Sequence, residues 1–276
     1  MYDQNSFLQP WYEAAQSNCI ATYLKACRNY QQALAEHPDD PYLKDNCGWF
    51  IPPDPVLRPQ PPSSPYHQST ISVLIVGFSR PEGAMRAATS AKVLALNPDK
   101  VEVLVCTDTS DPLKDRYEAL PDTTVVICDD RRTSAKWNCL YERSTGDILV
   151  LVCDDVVFTT FGWDNTLRSR WPQDGMAVVN PTTPVMLLFP IISRKMADRL
   201  GYVAYPNITH GGLDTFWAHV GHALGRYYYP LRDCHIDHRH YETHEIHNQK
   251  QRYLAGEEFS PEGLKHLALT EVQNLK

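Results

Sequence analysis

In GDILVLVCDD, residues 146–155, an apolar run stops at two adjacent carboxylates, Asp154 and Asp155. Two like charges at the end of a buried strand make either a solvated turn or cap, or oxygen ligands for a hard cation. Three other apolar runs also end in polar residues. ISVLIVG leads into Ser79 and Arg80, VEVLVC into Thr107, Asp108 and Ser110, and TTVVIC into Asp129 and Asp130. Arg80, Arg131 and Arg132 suit phosphate or base contacts, or ordinary solvated loop charge. Further on, Asp214 follows Gly211 and Gly212 in GGLDTFW, where a carboxylate can cap a helix or take a proton as general base. The segment HIDHRHYETHEIH holds His235, His238, His240, His244 and His247. In a strand His238 and His240 share a face and can share a metal, which raises the idea of a zinc hydrolase. Neither HxHxDH nor HExxH is present, so a strand-end histidine acting beside carboxylates is the better reading. His244 and His247 read as surface residues; Trp163, Trp171 and Trp217 are placed to border an acceptor pocket, with core packing the better reading for each.

These residues need a frame. From residue 71, strands at 71–77, 101–106, 123–128 and 147–153 alternate with helical spacing at 83–97 and 133–144. The strands are apolar throughout, which indicates a mostly parallel α/β sheet covered by helices on both faces. Ligands in such sheets bind beyond the carboxyl ends of the strands, where the acids are. After this, 185–197 suggests a strand then a helix, 213–225 a helix, and 226–241 a strand. Residues 10–37 repeat apolar side chains every three or four positions, giving a helical extension over 1–50. Residues 51–69 are proline-dense and read as an extended linker, 70–245 as the main domain, and 246–276 as a helical tail.

The bulk properties exclude some classes. With 276 residues, 43% of them hydrophobic, the chain can bury a large core. A net charge of -7 gives no global attraction to nucleic acid or anionic membrane. The eight cysteines are scattered, with no CxxC pair, and read as small core residues in a reducing compartment. The start, MYDQNSFLQP, lacks the features of a signal peptide, and no apolar run is long enough for a transmembrane segment. The expected location is therefore cytoplasmic.

From about 71 to 241 the chain resembles the GT-A type nucleotide-sugar glycosyltransferases, in particular the family 2-like group. IVGFSRP (75–81) is similar to that group's first strand and loop. Asp108 stands in the place of the carboxylate that reads the nucleobase. Lys136, Asn138 and Gly146 precede an apolar strand ending in CDD, where the group has Asp-x-Asp. Asp214 stands in the place of the catalytic base, and DHRHY (237–241) in the place of a strand end whose histidine completes the metal site. The chain departs from the pattern at Cys153, where the first acid would be, and at Arg132, where a glycine is usual.

The resemblance implies a Rossmann-like GT-A domain that transfers a sugar from a nucleotide sugar to a hydroxyl acceptor, with inversion. It implies Asp214 as base, Asp155 and His238 as ligands of Mn²⁺ or Mg²⁺, and Phe78, Ser79, Arg80, Asp108, Lys136, Asn138 and Asp154 around the nucleotide sugar. The chemistry agrees: a departing diphosphate develops charge that a cation can stabilise. The acceptor is open among glycan, lipid, protein, small molecule and modified nucleic-acid base. A nucleotidyltransferase and a non-catalytic nucleotide-sugar-binding scaffold are the alternatives; GFSRPEGAMR matches the glycine-rich, lysine-bearing first turn of the former poorly.

Overall fold

The structure is a computed structural model that describes residues 36, 68–171, 176–178, 189–208, 212–214, 216, 217, 220, 234–238 and 261–275. The expected helix over 10–37, apart from Glu36, and the proline-dense stretch up to residue 67 lie outside the described residues, as do most of 213–225 and 226–241.

A six-stranded sheet runs in the order β3-β2-β1-β4-β7-β6. Its parallel part comprises β1 (Ile71–Val76), β2 (Val101–Asp108), β3 (Thr124–Cys128) and β4 (Ile148–Cys153). These strands are rich in Val, Ile and Leu because both faces of the sheet are largely covered. One face packs under α1 (Pro81–Val93): Ile71, Val73, Ile75, Val103 and Val150 meet Ala84, Ala87, Ala88 and Ala91. The other packs under α3 (Thr133–Arg143), where Leu74, Val76, Cys106 and Leu149 meet Trp137 and Leu140. The period-two alternation of strand side chains divides the core into these two layers.

The sheet then changes direction. β7 (Pro190–Ser193) pairs antiparallel with β4, and β6 (Met176–Val178) antiparallel with β7. The architecture is the mostly parallel α/β sheet that the apolar runs indicate. Ser193 ends β7 and starts α5 (Arg194–Leu200), its hydroxyl accepting from the Met196 N–H at 3.2 Å. Helix α1 stops short of the expected 97: a 3-10 turn at Pro98–Lys100 begins with a proline that cannot continue an α-helix.

Three short elements carry no sequence signal of their own. These are α2 (Lys114–Tyr117), α4 (Trp163–Arg170) and β5 (Val156–Phe158). Helix α4 is pinned by the fully buried Asp164–Arg168 pair, with Asp164 accepting from the Leu96 and Asn97 N–H groups at 2.7 and 3.0 Å. Trp163, Trp171 and Trp217 are all buried, as expected of core residues. A C-terminal helix, α6 (Pro261–Leu275), packs on α5 and buries Ala268 and Val272. No helix among the described residues is long and apolar enough to cross a membrane.

The element that matters most for the site is β5. It follows Asp154 and Asp155 directly and pairs antiparallel with β8 (Ile236–His238), with Val156 opposite His238. That pairing brings a distant histidine to the end of β4.

Candidate active site

Four segments meet at the carboxyl edge of the parallel strands. The first is the turn 77–80 between β1 and α1. Gly77 is needed there because a Cβ would stand 3.0 Å from both Asp154 Oδ2 and the Tyr117 hydroxyl. Ser79 has φ 56, a left-handed conformation unusual for a residue with a Cβ. Asp111 holds it, accepting from Ser79 N at 2.7 Å and from Ser79 Oγ at 3.3 Å. Asp111 itself is fixed by the Thr107 hydroxyl at 2.5 Å and the Leu113 N–H at 2.8 Å. Tyr117 is wholly buried, and its hydroxyl accepts from Arg80 N at 3.0 Å. Sequence reasoning missed both supports. Asp111 stands before Pro112 in a turn-forming SDP, a usable signal, whereas nothing in the sequence singles out Tyr117.

The second segment is the end of β4. Asp154 is almost fully buried and accepts from Arg80 Nε at 3.1 Å, from Arg80 Nη2, and from Phe78 N at 3.3 Å. Burial pushes its carboxyl up to about 7 and Asp155 adds to that push, while Arg80 pulls the other way. Arg80 loses by burial but gains more from Asp154 and Asp155, and is held above its ordinary value. Burial favours a neutral acid, and the guanidinium favours a full ion pair. The fork decides: both Asp154 oxygens accept from one guanidinium, so the pair is ionic. Asp155 lies 3.6 Å from Arg80 Nη1 through Oδ2 and 3.4 Å from His238 Nε2 through Oδ1. Cys153, in place of the first acid of Asp-x-Asp, is a free thiol pushed well up by burial.

The third segment joins β2 to α3. Asp108 is buried and makes a 2.6 Å ion pair with Lys136 Nζ, which also donates to Gly77 O at 3.1 Å and lies 5.2 Å from the centre of the Phe78 ring. Ser110 N donates to Asp108 at 3.0 Å, and its hydroxyl donates as well. Burial pushes the Asp108 carboxyl up, but Lys136 and Ser110 outweigh it and hold it below its ordinary value. Phe78, at 39% exposure, is the open wall of this corner. Asn138 faces elsewhere: its amide donates to Ala204 O at 2.7 Å and accepts from Val203 N and Ala204 N, both at 3.0 Å. It ties α3 to the segment after α5. Arg132 forks onto Asp130 and donates to Pro206 O at 3.1 Å.

The fourth segment brings Asp214 and His238 together around Phe189. The Phe189 N–H donates to Asp214 Oδ1 at 3.2 Å, and the Phe189 ring meets His238 edge-on with centroids 5.1 Å apart. Asp214 keeps part of its surface exposed, yet burial pushes its carboxyl up to about 7 against the pull of the Phe189 N–H and of His238. That value suits a group that takes a proton near neutral pH. His235, also described, lies exposed before β8, while His240, His244 and His247 lie outside the described residues.

The edge therefore holds a compensated acid (Asp154 with Arg80), a second compensated acid (Asp108 with Lys136), an acid facing an imidazole (Asp155 with His238), and an acid raised toward neutrality (Asp214). Such a set can bind a polyanion with its cation and take a proton nearby.

No protein-family profile matches the chain, and no curated protein matches its sequence. Solved structures do match. One is the mannosyltransferase PcManGT from Pyrobaculum calidifontis in complex with GDP-Man and Mn²⁺, at 17% identity and TM-score 0.51, over 91% of this chain and 81% of that one. Another is S. aureus TarS 1–349 in complex with UDP, at 10% identity and TM-score 0.44, over 57% of this chain and 56% of that one. Together with the sheet order, the likeness to the mannosyltransferase is one of fold, and the chain has the GT-A type α/β fold.

Proposed function

We propose that the protein is a glycosyltransferase that moves a sugar from a nucleotide-sugar donor to a hydroxyl acceptor, with a divalent cation and with inversion. The observation that carries this reading is the convergence of Asp154, Asp155, His238 and Asp214 at one sheet edge, beside Arg80 and Lys136.

The donor set fits a cation. Asp155 Oδ1 and His238 Nε2 face each other 3.4 Å apart. Neighbouring ligands on an octahedral ion at about 2.1 Å sit about 3 Å apart, so the two atoms need little adjustment to share one. One carboxylate oxygen and one imidazole nitrogen suit Mn²⁺ well and Mg²⁺ acceptably. Bound there, such an ion supplies positive charge against a departing diphosphate.

The chain's own residues do the rest. Asp108 and the Phe78 wall border the corner that takes the nucleobase. Arg80 Nη1, on the outer side of its fork with Asp154, is available to a phosphate oxygen. Asp214 takes the proton from the acceptor hydroxyl as that oxygen bonds to the anomeric carbon and the bond from that carbon to the diphosphate oxygen breaks. A single base on the acceptor side, with attack and departure in one displacement, gives inversion. The free thiols of Cys106, Cys153 and Cys234 suit a reducing compartment, and we place the activity in the cytoplasm. Mannose, suggested by PcManGT's ligand, is the first donor sugar to try.

Asp108→Asn tests the nucleotide corner. It keeps the shape and the Ser110 contact but weakens the acceptor offered to a nucleobase N–H. Calorimetry should show affinity for the preferred nucleoside diphosphate falling by about 1–3 kcal/mol, the worth of a charged hydrogen bond. The change also strips the buried Lys136 of its charged partner and should lower the melting temperature, so equal affinities at a temperature where the variant is folded would remove Asp108 from the nucleotide site.

A further inference from the structure

The acid pair already has a cation. Arg80 precedes α1 with φ -137 and ψ 59, its N–H held by Tyr117. Helix α1 backs onto the same place: a Cβ on Gly83 would stand 2.5 Å from the Asp154 carbonyl oxygen. With the backbone so clamped, the guanidinium lies along the acids. Its Nε and Nη2 edge is committed to Asp154, while Nη1 reaches toward Asp155 at 3.6 Å, beyond hydrogen-bond length. Asp155 thus stands between a guanidinium on its Oδ2 side and His238 on its Oδ1 side.

We propose that Arg80 is a tethered cation that competes with a divalent ion for Asp155 and yields only to a nucleoside diphosphate, so that metal and nucleotide load together. This deepens the glycosyltransferase reading and rests on it for the nucleotide. The charges give the reason. With both carboxylates ionised, Asp154, Asp155 and Arg80 together carry one net negative charge. Adding a divalent ion alone leaves an excess of one positive charge in a poorly hydrated corner, with the ion close to the guanidinium. A diphosphate removes that excess. It can also draw Nη1 away from Asp155 without breaking the fork to Asp154, because Nη1 makes only a long-range contact there. Arg80 is then a positioning residue for the metal and a direct ligand of the diphosphate, and it protects the site from binding a bare ion unproductively.

The test is Mn²⁺ binding by electron paramagnetic resonance, first without nucleotide. Arg80→Gln keeps one donor for Asp154 and Arg80→Met keeps none, so two neutral variants of different kinds guard against failure to fold. Arg80→Lys keeps the charge. Compared also on an Asp154→Asn background, so that no buried acid takes up a proton in place of the lost guanidinium, the neutral variants should bind Mn²⁺ about tenfold or more tighter than the protein that keeps Arg80, a modest part of what an adjacent unit charge can change, and Asp155→Asn should abolish the gain. Arg80→Lys should stay near wild type. With UDP or GDP present, the factor by which nucleotide tightens Mn²⁺ binding should be large in wild type and smaller in the neutral variants. Neutral variants that bind Mn²⁺ no tighter than wild type overturn the proposal. The nucleotide-free comparison decides Arg80's role by itself, whereas failure of wild type to bind any nucleoside diphosphate would count against the glycosyltransferase reading instead.

Discussion

Asp214→Asn lowers transfer by about 10²–10⁴-fold in single turnover at saturating donor, the usual worth of a positioned general base. Donor binding survives, because the nucleotide and metal contacts are proposed at Asp108, Arg80 and Asp155. The Asn carbonyl can still accept from the Phe189 N–H, which is 3.2 Å from Asp214 Oδ1 in wild type. A residue needed only to cap or to hold Phe189 would be replaced almost without loss, since Asn and Asp cap about equally. Near-normal transfer with unchanged melting temperature would move the base elsewhere.

The same residue gives a pH signature. Burial raises the Asp214 carboxyl from 3.8 to about 7, so the folded state binds its proton more tightly than the unfolded chain does. Between those values the unfolded state carries fewer protons, and the Asp214 contribution to stability falls as pH rises. Wild type should therefore lose melting temperature relative to Asp214→Asn between about pH 4 and pH 7, at about 2–4 °C per kcal/mol for a domain of this size. Transfer should rise over the upper part of that range, as the base loses its proton. A constant difference between the two melting curves across the range would contradict the buried-acid account.

The second large effect concerns Asp155. Asp155→Asn should lower divalent-dependent turnover by about 10³-fold or more, since a cation at a departing diphosphate is worth several kcal/mol. Metal-free stability should stay near wild type. Asp155 is half of a like-charged pair, and removing its charge relieves Asp154, whose carboxyl it pushes upward. Unchanged turnover at saturating Mn²⁺ would remove Asp155 from the metal site. A collapse of stability without metal would make it a structural residue.

The parallel half of the fold is legible because its strands are apolar on both faces and end abruptly in acids. Asp108 and Asp154 stand at such ends, so a single pass along the chain finds them. Their partners are another matter. Lys136 joins Asp108 across a helix–strand contact, and Arg80 joins Asp154 across a gap of 74 positions in the chain. No local pattern encodes either pairing. The sequence offers both basic residues as ligand contacts, and both already hold an acid. Asn138 came from the family resemblance, and its amide is occupied by the backbone of Val203 and Ala204. β5 is three residues long, too short for a periodic signal, yet its pairing with β8 sets His238 beside Asp155. Its company of histidines and the resemblance single out His238, but nothing local shows the strand that positions it. Asp111 stands out little in the sequence because its work is local: it holds Ser79 in the left-handed turn that aims the 77–80 loop.

Nucleotide-sugar transfer is tested by turnover of a panel of UDP-, GDP-, ADP- and TDP-sugars with Mn²⁺, read as nucleoside diphosphate released. Hydrolysis or transfer to a mixed set of hydroxyl acceptors serves equally for this readout. Release from one donor type should stand well above the others, be lost on chelation and in Asp155→Asn, and be strongly reduced in Asp214→Asn. Tight binding of a nucleotide sugar with no release under any acceptor would mark a scaffold. Release of pyrophosphate from a nucleoside triphosphate and a sugar phosphate, with no turnover of nucleotide sugars, would contradict the account outright.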